Sequence, residues 1–504
     1  MSTMRVGLLA VLSGGGWIAL AALTPQFVWG QDHSHRPVLT MLGLLAFEWL
    51  CFALAVRTIS RLQEQSVWVR KPWCLLGIGV LFWLPFLGRN PILEHDAYRY
   101  LWDGATLAQG ISPYRYAPTE ILEPTADPQS PEAAVLRQLA DSSFEARQTL
   151  ERVGYPHVKT IYPPIAQAAF ASAYLLGGWS WDGFRLLFGL AYFAGAGLMV
   201  WALSRHAPSG RPAAMAAVLL GWCPLAVKEV ANSAHLDALL VAVWGAFFFL
   251  LARREEWRTP VVAGLVVGLG ILTKLYPVLL LPLFWSFFQR GNGWRSSLAF
   301  VLTALATTVL GYLPFLAMDG MDVFSGFRTF SNEWLRNAGL YALLDGWMRA
   351  LFGSESVSMF GWVGGTGPAG TVVAKLVAQV VVGGTVLVLC WRMLSSLRTP
   401  SPAQLAHACL VVLCVWFLLL PMAFPWYLLG LVPFAVVSER PAFTCWLAAF
   451  VSLGYYALFY CEYHEVSSGI VTAVKAVEYL VPATIGVLLI RQHQRTTGVQ
   501  AEAG

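Results

Sequence analysis

The feature that most constrains this chain is a succession of apolar runs, each long enough to cross a bilayer or nearly so, separated by short loops that hold most of its arginines and lysines. In lipid, a backbone must satisfy its own hydrogen bonds, so such runs fold as helices. With 57% of the 504 residues hydrophobic and only 12% charged, no soluble core would absorb them. The fold class is therefore all-α, a polytopic helical membrane protein forming one integral domain over residues 1–504, with about 11–14 membrane segments at the length a bilayer requires. The net charge of +5 needs no nucleic-acid partner, because loop cations set membrane topology. The eight cysteines are scattered, with no CxxC and no zinc spacing, and read as small core residues.

Charge in the loops orients the spans. Val6–Trp29 is too long for a signal-peptide core and lacks an obvious cleavage site, so it reads as a retained first span. Pro37–Val56 follows, and Arg57, Arg61, Arg70 and Lys71 place the next loop in the cytoplasm. Trp73–Gly88 then returns to the outer face, leaving residues 90–160 outside. Arg205, His206 and Arg211, then Arg253, Arg254 and Arg258, make Phe184–Leu203, Ala213–Val230 and Leu236–Leu251 full crossings. Tyr162–Trp181 must then re-enter without crossing, and Pro260–Phe288 forms a hairpin or broken helix with its apex, Thr273-Lys274-Leu275, near the outer face. The rival reading crosses at every run and puts two arginine clusters outside. Beyond Arg290 the runs alternate: Leu298–Ala317, an outer loop over residues 318–366, Val372–Met393, Leu405–Leu420, Tyr427–Val437, Phe443–Tyr460 and Ile470–Ile490.

The polar stretch Glu94-His-Asp-Ala-Tyr-Arg-Tyr-Leu-Trp-Asp-Gly104 leaves the third span directly. A loop of about seventy residues is too long for a connector and is either functional or disordered. Asp96 stands as the N-cap and Gly110 as the C′ residue of a helix laid along the membrane surface, with Asp96, Arg99 and Asp103 on one face. Pro124–Pro131 breaks the chain, and Pro131–Val153 reads as a second amphipathic helix. Glu94 and Asp96 form an E-x-D pair, able to supply a general base beside a metal ligand or orienting acid; the plainer account has Asp96 only capping a helix. Asp103 suits an i,i+4 pair with Arg99. Tyr98 and the neighbouring aromatics suit a sugar platform or an interfacial anchor equally.

Ionisable groups at the mouth of an apolar span are costly unless they face a cavity. Asn232, His235 and Asp237 sit at such a mouth, as a site or as a satisfied polar cluster. Lys274, between Gly-Leu-Gly-Ile-Leu-Thr and Leu-Tyr-Pro, wants an anion such as a lipid phosphate, or else snorkels to the interface. Trp426 and Tyr427 follow a helix-breaking proline in a third outer loop, and Cys461-Glu-Tyr-His464 forms a fourth.

With Pro113-Tyr-Arg-Tyr-Ala-Pro118, Tyr162-Pro-Pro164, Ser233-Ala-His-Leu-Asp237, Gly268-Leu-Gly-Ile-Leu-Thr-Lys-Leu-Tyr-Pro277 and Pro425-Trp-Tyr427, the chain resembles the GT-C superfamily of polyprenyl-phosphate-sugar-dependent membrane glycosyltransferases, in its bacterial mannosyltransferase-like branch. The resemblance implies transfer of mannose from a polyprenyl-phosphate donor to an acceptor hydroxyl of a glycan, glycolipid or protein, on the periplasmic or exterior face of a bacterial inner membrane. It implies Asp96 as the base of an inverting displacement, with Glu94 the alternative. Lys274 would hold the departing phosphate, with His235, Asp237, Arg99, Tyr98, Trp426 and Tyr427 lining the substrate site. Glu94, Asp96 and Asp237 leave room for a divalent cation, Mg²⁺ or Mn²⁺, and no organic cofactor is implied. The two spans before Cys74 are additional to the simplest form of that fold. A flippase of lipid-linked sugars would scatter charges through several spans and often show an internal repeat; here the charges gather at one face. A non-catalytic assembly subunit would tolerate loss of Asp96.

Overall fold

In the computed structural model, residues 2–30, 32–123, 130–206, 209–253, 258–359, 365–438 and 441–502 are described; Arg254 and most of the Pro124–Pro131 break lie outside them. Three helices come first: α1 (Ser2–Leu23), α2 (Val38–Ser60) and α3 (Pro72–Trp83). The first outer loop carries α4 (Asp96–Ala108), α5 (Pro131–Ala140) and α6 (Phe144–Glu151). Then follow α7 (Pro164–Gly177), α8 (Trp181–His206), α9 (Arg211–Gly221), α10 (Ala238–Arg253), α11 (Arg258–Thr273), α12 (Leu281–Asn292) and α13 (Trp294–Asp319). The chain closes with α14 (Leu340–Phe352), α15 (Ala369–Ser395), α16 (Pro402–Leu418), α17 (Val432–Val437), α18 (Pro441–Tyr463) and α19 (Ser468–Glu502).

Among the described residues eight helices are long and apolar enough to span a membrane, and shorter apolar helices such as Ala238–Arg253 and Arg258–Thr273 pack between them. A helix of sixteen residues rises about 24 Å, short of the roughly 30 Å hydrocarbon thickness. The hairpin of α10 and α11 thus holds Asp237 and Lys274, at its ends, within the bundle rather than beyond it. Among the described residues the all-α expectation holds apart from one strand pair, Ser356–Met359 antiparallel to Gly365–Pro368, in the loop over residues 318–366 that also contains α14 and a short helix, Ser325–Glu333.

The loops sort to two ends as loop charge predicts. At one end, Arg36 donates to the Tyr463 hydroxyl at 3.2 Å, Arg115 pairs with Asp319 at 2.7 Å, and Asn337 donates to the Ala423 carbonyl at 2.9 Å. At the other, Gly210 N–H donates to Glu64 at 3.2 Å and Arg211 to the Leu62 carbonyl at 3.0 Å, while Arg290 reaches the Ser396 carbonyl. Helix α7 begins beside Asp96, and Asp182, just after it, accepts from Gly88 N–H at the exit of the third span. Both of its ends therefore lie at the same end of the bundle, and α7 re-enters without crossing.

Two local expectations change. Pro131–Val153 is not one helix: Asp141-Ser-Ser interrupts it, because the Ser143 hydroxyl accepts from Ala146 N–H at 3.1 Å and starts a new helix. Helix α4 does not stand free either: Ala97 and Arg99 through Thr106 are buried, pressed onto α7. It ends as predicted, with Gly110 left-handed at φ 76°. Contact with α7 is so close that a Cβ on Gly104 would stand 2.4 Å from the Phe170 carbonyl oxygen. Gly104→Ala therefore separates the two helices and costs about 1–3 kcal/mol, as overpacking does. Thermal unfolding in detergent measures this: Gly104→Ala should melt lower, whereas Gly43→Ala, into open space, should not.

Candidate active site

Charged side chains inside an apolar bundle persist only where partners hold them, and the end of the fifth span holds several. After Pro224 the helix widens into a π turn, Val227–Asn232, a geometry that often marks functional sites. Ala234 then takes the left-handed conformation at φ 57°, at a cost of about 1–3 kcal/mol, and turns His235 back over the π turn. The freed carbonyls of Ala231 and Asn232 accept from buried Arg185 at 2.8 and 2.9 Å. Lys228 donates to Ser233 Oγ at 2.7 Å, the Tyr456 hydroxyl at 3.0 Å and the Ile92 carbonyl at 3.2 Å. Tyr456 in turn donates to Glu229 at 2.8 Å. His235 Nε2 lies 3.3 Å from Glu94 and 3.5 Å from Glu229, with its ring stacked on Trp426 at 4.0 Å. The outer loop is thereby tied to the inner helices.

Asp96 is the first residue of α4, and the N-cap is His95 rather than Asp96. Glu94 does the capping instead, its Oε1 accepting from the His95 and Asp96 N–H groups at 3.0 and 3.4 Å. The Asp96 carboxylate is left half-buried, with the Tyr162 hydroxyl at 3.5 Å as its contact. Tyr162 is fixed edge-on to Tyr100, which stacks on Phe170 at 4.3 Å. Burial first, and the Glu94 charge second, push the Asp96 carboxyl up to about 6. Burial works to raise Glu94 as well, but the His235 ring outweighs it and holds that carboxyl down at about 2. The two acids of E-x-D thus diverge, Glu94 ionised and Asp96 poised to take a proton near neutrality.

Opposite stands Lys274, at the apex of the predicted hairpin. Its Nζ donates to Asp237 Oδ1 at 2.7 Å and lies 3.7 Å from the centre of the Tyr427 ring. The Lys274 side chain is 19% exposed and that of Asp237 is 0%. Asp237 is therefore the anchor and Lys274 the accessible cation, with two N–H bonds left to offer.

The remaining sequence candidates take other places. Arg99 is buried and donates to the Gly154 and Tyr155 carbonyls at 3.3 and 3.0 Å, which binds the loop after α6 onto α4. Asp103 beside it accepts from Gln167 at 3.2 Å, and burial raises its carboxyl against the opposing Arg99 charge. Tyr98 meets Trp181 edge-on at 4.8 Å and accepts from Arg152 at 3.2 Å. Asn232 holds the approach to Glu94, accepting from Ile92 N–H at 3.0 Å. Among the described residues the cluster whose ligand atoms converge is Glu94, Glu229 and His235, all within 4.8 Å of one another, and not the expected Glu94, Asp96 and Asp237. Sequence reasoning passed over Lys228 and Glu229. Two adjacent charges near the end of an otherwise apolar span were the available signal.

The description "Glycosyltransferase family 87" matches residues 160–421, more than half of the chain. The chain belongs to glycosyltransferase family 87. A second description, "Alpha-(1->6)-mannopyranosyltransferase, N-terminal domain", matches residues 4–133, so Glu94 and Asp96 fall under one and His235, Asp237 and Lys274 under the other. The chain is 24% identical over 443 residues to a Mycolicibacterium smegmatis protein named "Probable alpha-(1->6)-mannopyranosyltransferase", with 79% of this chain and 70% of the relative covered. It is 24% identical over 440 residues to "Alpha-(1->6)-mannopyranosyltransferase A" of Mycobacterium tuberculosis, with 79% and 74% covered. No solved structure matches.

In this family 87 glycosyltransferase the polar network carries the site's geometry, and Tyr456 is its hinge between Lys228 and Glu229. Tyr456→Phe removes a donor from one buried charge and an acceptor from the other. A loss of about 1–3 kcal/mol per unsatisfied group follows, to be read as a lower melting temperature than that of Tyr455→Phe, whose hydroxyl holds no such pair.

Proposed function

We propose that this enzyme transfers mannose from a polyprenyl-phosphate donor to an acceptor hydroxyl, with inversion, on the non-cytoplasmic face of a bacterial inner membrane. The observation that carries the reading is the uncapped Asp96 carboxylate, raised to about 6, in the same polar end as the accessible Lys274. The mannose assignment draws on the printed names of the two relatives. The sidedness draws on Arg57, Arg61, Arg205 and Arg211 lying at the opposite end.

In the reaction, Asp96 takes the acceptor hydroxyl proton while the oxygen attacks the anomeric carbon. The bond from that carbon to the phosphate oxygen breaks, and its electron pair leaves with polyprenyl phosphate. Lys274 neutralises that phosphate, the electrostatic contribution that is commonly the largest in such sites. A prenyl tail stays in lipid while the sugar sits at the interface, which matches a base and a cation at the end of an apolar bundle.

With the purified chain in lipid nanodiscs and labelled polyprenyl-phosphate mannose, Asp96→Asn should lower kcat by about 10²–10⁴-fold, the worth of a general base. Lys274→Met should lower it by about 10²–10³-fold, the scale for losing an oxyanion donor. Both should keep the wild-type elution profile. A flippase or assembly subunit would give no transfer in any of the three proteins, and full activity in Asp96→Asn would overturn the role of that residue. Because the base must be deprotonated, kcat/KM should be flat above about 6 and fall tenfold per pH unit below it.

A divalent cation fits Glu94, Glu229 and His235. Their converging atoms Glu94 Oε2, Glu229 Oε2 and His235 Nε2 are buried without hydrogen-bond partners, and a mixed carboxylate and imidazole set suits Mn²⁺ better than Mg²⁺. Bound there, it would supply positive charge behind Glu94, which caps α4. Electron paramagnetic resonance on Mn²⁺ titrations should find a site in the wild type that is lost in Glu229→Gln; no uptake would mean that the His235 ring alone joins the two acids.

A further inference from the structure

A cavity of about 620 Å³ opens at the site end, walled on one side by the loop between α1 and α2 and floored by Glu94 and His95, the two residues before Asp96. The volume lies within the range of small-molecule sites. Lys274, Asp237 and Tyr427 do not line it, nor does Asp96 itself, so it is separate from the cation suited to a departing phosphate and adjoins Asp96 only through Glu94 and His95. Its chemistry is aromatic and hydroxyl-seeking. Trp29, 45% exposed, meets His95 edge-on at 5.3 Å and Tyr98 at 6.1 Å. The Arg152 guanidinium lies 5.5 Å from the Trp29 ring centre and 5.7 Å from that of Tyr98.

Across the cavity Arg36 is fixed by the Tyr463 hydroxyl and the Val28 carbonyl, and Arg336 pairs with Glu462 at 3.3 Å. Acids and guanidiniums both line the wall, Asp32, Glu462 and Glu465 with Arg36, Arg152 and Arg336, so neither sign dominates. A phosphate or a charged peptide would meet as much repulsion as attraction. A neutral polyol would not: its C–H face stacks on an exposed indole, and its hydroxyls pair with carboxylates and guanidiniums alike. We infer that this cavity is the acceptor subsite and takes a neutral glycan, stacked on Trp29 and steered by Tyr98 and Arg152 toward Asp96. The two helices that precede the third span, extra to the simplest fold of this kind, then set acceptor choice through their connecting loop. This inference rests on the glycosyl-transfer reading given above.

The test separates the two. Equilibrium binding of α-1,6-linked mannotriose, followed by saturation-transfer NMR, needs no donor and no turnover, so it reads the subsite even if transfer from the lipid donor fails. Asp96→Asn protein should bind it like the wild type. Trp29→Ala should weaken binding about tenfold, the worth of one aromatic contact, with Trp29→Phe restoring most of it and the melting temperature unchanged. In turnover, Trp29→Ala should raise KM for the acceptor and leave KM for polyprenyl-phosphate mannose as it was. Mannotriose that fails to bind the wild type at millimolar concentration, binding unaffected by Trp29→Ala, or a rise in donor KM instead, each overturns the assignment.

Discussion

The contact on which the site depends is that between His235 and Glu94, 3.3 Å across the join between the first outer loop and the inner helices. One partner comes from a backbone turned left-handed after a π turn, the other from the last residues before α4. Neither group is stable alone in an apolar bundle. Held against His235, Glu94 stays ionised and can accept the first N–H groups of α4, which frees Asp96 from the capping role that its position would suggest. An acid at a helix start that does not cap is exposed chemistry rather than structure. The separation of the two carboxyls, about 2 for Glu94 and about 6 for Asp96, follows from that division of labour.

A second constraint is length. Helices α10 and α11 each rise about 24 Å, less than the roughly 30 Å hydrocarbon thickness, and the residues at their ends, Asp237 and Lys274, meet inside the bundle at 2.7 Å. Deep burial of Asp237 and partial exposure of Lys274 make the pair a directed cation. Asp96, Lys274 and the aromatic cavity then occupy one end of the molecule, fed by loops far apart in sequence, as in the contact of Arg36 with Tyr463.

Much of this is legible in the sequence where the signal is local. Apolar runs and loop arginines gave the helical class, the re-entry of α7 and the hairpin apex at Lys274, because span length and charge act residue by residue. Gly110 was readable as a helix stop for the same reason. What was not legible depends on tertiary partners. Arg99 looked like a ligand for substrate, but its guanidinium is drawn to the Gly154 and Tyr155 carbonyls, which no helical periodicity reveals. Lys228 and Glu229 were passed over inside the run Ala213–Val230, since the π turn that buries them has no composition of its own. Trp29 read only as the end of the first span, because its contacts with His95 and Arg152 are tertiary.

The proposed transfer has two halves, a lipid-phosphate donor and inversion at the anomeric carbon, and one experiment reads both. Purified protein in nanodiscs would receive ¹³C-labelled polyprenyl-phosphate mannose of known anomeric configuration together with unlabelled nucleotide-linked mannose, and NMR would read the label and the anomeric coupling in the product. Inverting transfer from the lipid donor gives a labelled linkage of configuration opposite to that of the donor. An unlabelled linkage, or a labelled one that keeps the donor's configuration, would contradict it.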